Sequence, residues 1–142
     1  MEATPRAPAR KILLVEPQSL FRRTLATVAR QLRIADVVEA SSYESARALL
    51  EAQRFDGLLL AMGDGVESMA LLQALRDGKT GNMRHLPVSL LAETVSPATI
   101  DLFRVLSPQR ILLMPFKVKT ALEVVTALVA TQGAWFMAGD KA

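Results

Sequence analysis

The sequence predicts a doubly wound α/β domain: a five-stranded parallel sheet in the order 2-1-3-4-5 with five helices on its faces. Two observations carry this. Short apolar runs alternate with helical patterns along the chain, five of each. The apolar runs are continuous rather than alternating, the mark of parallel strands covered on both faces. Right-handed crossovers then leave few topologies, and the five-strand solution places its switch point between strands 1 and 3.

Taken in order, "KILLVE" (Lys11–Glu16) is strand 1, ended by Pro17. In "SLFRRTLATVARQL" the apolar residues Leu20, Phe21, Leu25, Val28, Ala29 and Leu32 recur at spacings of three and four, so it is a helix with Ser19 at its N-cap. "ADVVEA" is strand 2, and "SSYESARALLEAQ" is a helix opened by a capping-box pattern. "GLLLAM" is strand 3, and "ESMALLQALRDG" is a helix stopped by Gly78. After the polar loop "KTGNMRHL", "PVSLLA" is strand 4. "SPATIDLFRVL" is a helix capped by Ser96, with Pro97 at its first position. "RILLMPF" is strand 5, and "KTALEVVTALVATQG" is the last helix. Residues 1–9 read as a flexible tail, 10–132 as the domain and 133–142 as a C-terminal tail.

Composition bounds the function. A chain of 142 residues is one domain with a real core. Hydrophobic residues make up 51%, yet no run reaches the roughly 18–20 residues of a membrane span. The N-terminus lacks the apolar segment of a secretory signal. There are no cysteines, which excludes disulfides and thiolate metal sites and fits a cytoplasmic location. The net charge is +3, but acids are spread among the bases, and no basic run is interleaved with aromatics, so nucleic acid is not an expected partner. The lone His85 has no partners at metal spacing and reads as a loop residue.

The crevice of such a sheet is lined by the strand ends Glu16-Pro17, Ala61-Met62, Ala92-Glu93 and Met114-Pro115. With "KILLVE", "VVEASSYESARALLE", "FDGLLL", "PVSLLA" and "LLMPF" in this order and spacing, the sequence resembles the response-regulator receiver domain of bacterial two-component signalling, a flavodoxin-like fold. The resemblance covers about Arg10 to Gln132. It implies an acid pair for magnesium after strand 1, a phosphoacceptor aspartate ending strand 3, a hydroxyl ending strand 4 and a lysine before the proline of strand 5. Those positions hold Glu16-Pro17, Ala61, Ala92 and Met114. One carboxylate survives; nucleophile, hydroxyl and lysine are gone. The resemblance also implies a cis bond between Met114 and Pro115. Phosphoryl transfer needs a nucleophile, a cation and donors on the equatorial oxygens. The chain therefore reads as a stand-alone pseudo-receiver, not an enzyme, with no cofactor and no metal. Ala61, Ala92 and Met114 are expected to close over one another as packing.

Rival sites are weaker. Asp56 sits at the opposite end of strand 3 and reads as a structural acid. Glu16, Asp64 and Glu93 could collect a divalent ion, but "GDG" reads as a solvated turn and lacks the glycines and lysine of a phosphate loop. Arg22 and Arg23 support an alternative function, a ligand-sensing degenerate receiver that binds a small anion or cyclic dinucleotide; their plain reading is a solvated helix face. The last third is more informative. In helix 5 the inward stripe should be Val118, Ala121, Leu122, Val125, Leu128 and Val129, which leaves Val124 and Ala127 outward. With Leu102 and Val105 of helix 4, and Trp135 and Phe136 of the tail, they form an expected partner surface across helix 4, strand 5 and helix 5. Its occupant is a signalling protein, such as a kinase, phosphotransferase or regulator, or a second copy in a homodimer. Alternatively, the tail folds back over helix 5.

Overall fold

The computed structural model describes residues 10–114 and 116–141, with side chains through residue 130. The elements are β1 (Lys11–Val15), α1 (Ser19–Gln31), β2 (Asp36–Ala40), α2 (Tyr43–Ala52), β3 (Gly57–Ala61), α3 (Val66–Arg76), β4 (Val88–Ala92), α4 (Pro97–Leu106), β5 (Arg110–Leu113) and α5 (Val118–Lys141). The sheet is parallel with order β2-β1-β3-β4-β5, as the alternation of apolar runs and helices predicts. Segment 1–9 and the Met114–Pro115 bond lie outside the described residues.

Local signals explain the helix ends. Ser42 accepts the Ser45 N–H at 3.1 Å at the start of α2, and Ser96 accepts the Thr99 N–H at 3.2 Å at the start of α4. Gly65 opens α3 with φ +90°, a backbone state that a side chain resists. At α1 the capping residue is Gln18 and not Ser19; Gln18 makes no side-chain cap.

Two cores form, one on each face of the sheet. Leu13, Val15, Leu58, Leu60, Val88 and Leu90 point to α2, α3 and α4, where Leu50, Leu72, Leu75 and Phe103 meet them. Ile12, Leu14, Leu59, Ala61 and Leu91 point to α1 and α5, against Leu25, Ala29, Ala121, Val125 and Leu128. Successive strand residues alternate between these cores, which is why the strands read as continuous apolar runs.

The last helix differs from expectation in two ways. Val124, expected to face outward, is only 6% exposed and belongs to the α1–α5 core. The buried residues are Ala121, Val124, Val125 and Leu128, while Val118, Leu122 and Val129 are partly buried at the flank. Lys119, Glu123 and Thr126, spaced by four and three, form the exposed face of α5, and Val124 lies well round from that stripe. Ala127 is half-buried. Secondly, α5 continues through Lys141, over the segment read as a tail; the Trp135 and Phe136 side chains lie outside the described ones.

Candidate functional site

The register builds the crevice row by row. Val15 pairs with Leu60, Leu60 with Leu90 and Leu90 with Ile111. One step further along each strand, the row reads Glu16, Ala61, Leu91, Leu112. Ala61 and Leu91 face the α1–α5 core, and Leu112 packs against it. Phe21 of α1 and Phe116 after β5 pack on the same core and meet edge to face at 5.1 Å. The place where the resemblance puts a nucleophile is thus a buried methyl in an apolar layer.

Ala92 belongs to the other core, with Leu90, Met62 and Phe103. Met114 is half-buried and belongs to neither. The expected closure of Ala61, Ala92 and Met114 over one another does not occur. Strand parity sends the two alanines to opposite faces of the sheet.

Glu16 is the polar member of the row. It is 3% exposed. Its Oε2 accepts the Gln18 N–H at 2.9 Å, and its Oε1 has no hydrogen-bond partner among the described residues. Burial raises its pKa above the usual carboxylate value, and the Glu93 charge adds to this; the Gln18 N–H and the Arg22 charge pull the other way. A carboxyl that binds its proton more tightly in the folded chain destabilises the fold once ionised. Stability from this group is therefore lost as pH rises from 4.5 through the raised value. The variant Glu16→Gln should gain thermal stability over the wild type at pH 7, and the gain should shrink toward pH 4.5. Paired melts across that range check it.

Arg22 is not on a solvated face. It is 8% exposed, donates from Nη1 to the Glu16 carbonyl at 2.9 Å and from Nε to Glu39 at 3.2 Å. Arg30 meets the other Glu39 oxygen at 3.1 Å. Glu39 is 17 residues from Arg22, and nothing local in the sequence announced the pair. Pro17 and Arg23 are exposed.

Tyr43, which the sequence reading passed over, reaches from α2 to donate to the Ala61 carbonyl at 2.6 Å. Its hydroxyl pKa is pushed up to about 12, mainly by burial and then by the charges of Glu16, Glu67 and Asp64, so it stays a donor. Gly63 (φ +57°) makes room: a Cβ there would lie 3.0 Å from the phenol oxygen. Ser68 donates to the next carbonyl, that of Met62, at 2.6 Å. The turn after β3 is thereby held from both sides.

The rival sites resolve as follows. Asp56 accepts the Lys11 N–H at 2.8 Å and pairs with Arg10, a structural acid as read. Asp64 accepts the Val66 N–H at 2.9 Å within its turn. His85 is exposed. Among the described residues no group of three or more His, Cys, Asp or Glu is placed to hold a metal ion. The magnesium of the resemblance does not fit. Pro17 and Ala61 offer hydrocarbon where carboxylates would be needed, and the Glu16 oxygen left over is closed to the waters that magnesium retains. Among the described residues no helix is long and apolar enough to cross a membrane.

On the expected partner surface, Leu102 is 44% and Val105 71% exposed. Ile100, Ile111 and Leu113 are exposed as well. At 100° per residue, Ile100 lies on the opposite flank of α4 from Leu102 and Val105. Within that surface the apolar exposure lies on α4 and β5; Leu20, Leu32, Val66 and Met83 are exposed elsewhere on the molecule.

No family model and no curated protein matches the sequence. Solved structures do match. The receiver domain of Francisella response regulator 1452 superposes with TM-score 0.73 at 18% identity, over 87% of this chain and 98% of that one. The Vibrio cholerae chemotaxis protein CheY4 gives 0.73 at 19%, over 85% and 99%. A response regulator from Thermotoga maritima gives 0.70 at 18%, over 87% and 99%. Five strands in the order 2-1-3-4-5, five covering helices and near-complete coverage of three such structures establish that this chain has the response-regulator receiver fold.

Proposed function

We propose that this chain is a protein-interaction module of two-component-type signalling that works without accepting a phosphoryl group. The observation that carries the reading is the row Glu16–Ala61–Leu91–Leu112: a buried methyl stands where phosphoryl transfer would need a nucleophile. Ala92 and Met114 add neither hydroxyl nor cation. The output is docking in the cytoplasm, on a signalling protein or a second copy, through the apolar α4–β5 surface that holds Leu102, Val105, Ile111 and Leu113. Control then rests on abundance, localisation or competition. The ligand-sensing alternative loses its main support, because the Arg22 guanidinium is committed to Glu39 and the Glu16 carbonyl.

The test is intact-mass spectrometry after incubation with acetyl phosphate or phosphoramidate and magnesium, and with a set of autophosphorylated histidine kinases. The expected result is no phosphoryl adduct. A stable adduct on the wild-type chain would falsify the reading.

A further inference from the structure

The strands are parallel, so all five begin at the same end of the sheet, and each is entered beside an exposed arginine. These are Arg10, Arg33, Arg54, Arg84 and Arg110, and exposed Lys79 joins them from the loop before β4. The acids at this end are Asp36, Glu51, Asp56 and Asp77. Asp56 is taken by Arg10 and the Lys11 N–H, and Glu51 by Arg47. Among the described residues no ion pair involves Arg33, Arg54, Lys79, Arg84 or Arg110. Two of the loops also expose an apolar side chain beside the arginine: Leu32 is 61% and Met83 68% exposed.

The last helix brings an uncharged segment to the same end. Gln109 Nε2 donates to the Ala127 carbonyl at 3.4 Å, and Leu128 lies against Gly57. This turn of α5 is therefore level with the entries of β5 and β3. The helix runs on through residues 129–141, a rise of about 20 Å. Residues 131–138 carry no charge and include Trp135, Phe136 and Met137.

Occupants differ in what they leave unmatched. A second copy of the helix would cover apolar residues but bring more arginines and no acids to the loops. A nucleic acid would meet the arginines but leave the uncharged helix in water. An anionic bilayer supplies phosphate and carboxylate for the arginines and an apolar interface for the helix, where tryptophan is favoured.

We propose that the amino end of the sheet binds an anionic membrane surface, with the α5 extension lying in the lipid interface and the arginine loops on the headgroups. The extension is shorter than the roughly 30 Å hydrocarbon core, so it lies along the membrane and does not cross it. The inference goes beyond the interaction-module reading and does not depend on it. The α4–β5 surface lies on another side of the sheet and stays open to a protein partner.

Trp135 is the only tryptophan of the chain, so its emission reports on the extension directly. The full chain is titrated with vesicles of phosphatidylcholine alone and with vesicles carrying about 30% phosphatidylserine. Only the anionic vesicles should shift the emission to the blue and carry the protein down on sedimentation, and added salt should reverse both. Arg54→Glu with Arg84→Glu changes exposed side chains only, and should weaken binding by roughly tenfold or more while circular dichroism stays that of the wild type. Phe136→Glu should weaken it as well, which a purely electrostatic contact would not show beyond the added charge; Ala142→Glu supplies that charge outside residues 131–138 as the control. No blue shift with anionic vesicles, equal binding to phosphatidylcholine alone, or saturation by a duplex oligonucleotide in place of vesicles overturns the proposal. None of these results touches the phosphorylation-independent reading, which falls only to a phosphoryl adduct.

Discussion

Replacing Val124 by glutamate should unfold most of the population or leave it barely stable, whereas Val105→Glu should fold like the wild type. Both residues are valines on helices of the expected partner surface. Val124 is buried among Ala121, Val125 and Leu128, and none of these can pair with a carboxylate. An unpaired buried charge costs about 4 kcal/mol or more, a large share of a domain's total stability. Val105 is 71% exposed, so its glutamate stays in water and shifts stability by no more than about 0.5 kcal/mol. Urea denaturation followed by circular dichroism separates the two. Equal stability of the variants would show that α5 turns Val124 outward. The contrast also makes Val105→Glu, and not Val124→Glu, the variant for testing docking.

The second large effect is expected at Asn82, inside a loop that reads only as polar. Its Oδ1 accepts the Phe55 N–H at 2.7 Å, and its Nδ2 donates to the carbonyls of Leu50 at 2.7 Å and Gln53 at 2.8 Å. One buried amide thus ties the end of α2 to the entry of β3. Leu50 also receives the Gly81 N–H, so Asn82→Ala strands chiefly the Phe55 N–H and the Gln53 carbonyl. At about 1–3 kcal/mol for each stranded group, the loss should be roughly 3 kcal/mol, seen as a lower urea midpoint with an unchanged slope. Asn82→Asp should do no better. It keeps an acceptor for Phe55 but turns an acceptor toward two carbonyls. A midpoint within error of wild type in the alanine variant would mean that water replaces all three bonds.

These cases show what could be read beforehand. Strand order, the α/β class and the crevice positions follow from apolar runs and their spacing, because burial on both faces of a parallel sheet writes itself into consecutive residues. Facing was harder. Val124 was placed outward because the inward stripe of α5 was drawn too far round, although Lys119, Glu123 and Thr126 mark the exposed face. Ala61 and Ala92 were expected to touch because strand ends were compared by position and not by parity. Long-range polar pairs were out of reach: Arg22 finds Glu39, Tyr43 finds the Ala61 carbonyl, and Asn82 joins segments 27 to 32 residues away. The Glu16 position was identified as a surviving carboxylate; that one of its oxygens lacks a partner depends on where Arg22 points.

The strand order also bears on how the molecule assembles. With β1 between β2 and β3, the segment from β1 to β3 makes a three-stranded sheet by itself, and β4 and β5 then join one edge in the order of synthesis. No strand has to insert between two already formed after that point. The last strand to arrive has four residues, and Ile111 and Leu113 remain open to solvent. Amide protection should therefore fall from β1 and β3 toward β5. If docking uses the α4–β5 surface proposed above, it falls on the edge expected to be least protected, and a bound partner should slow exchange most at β5.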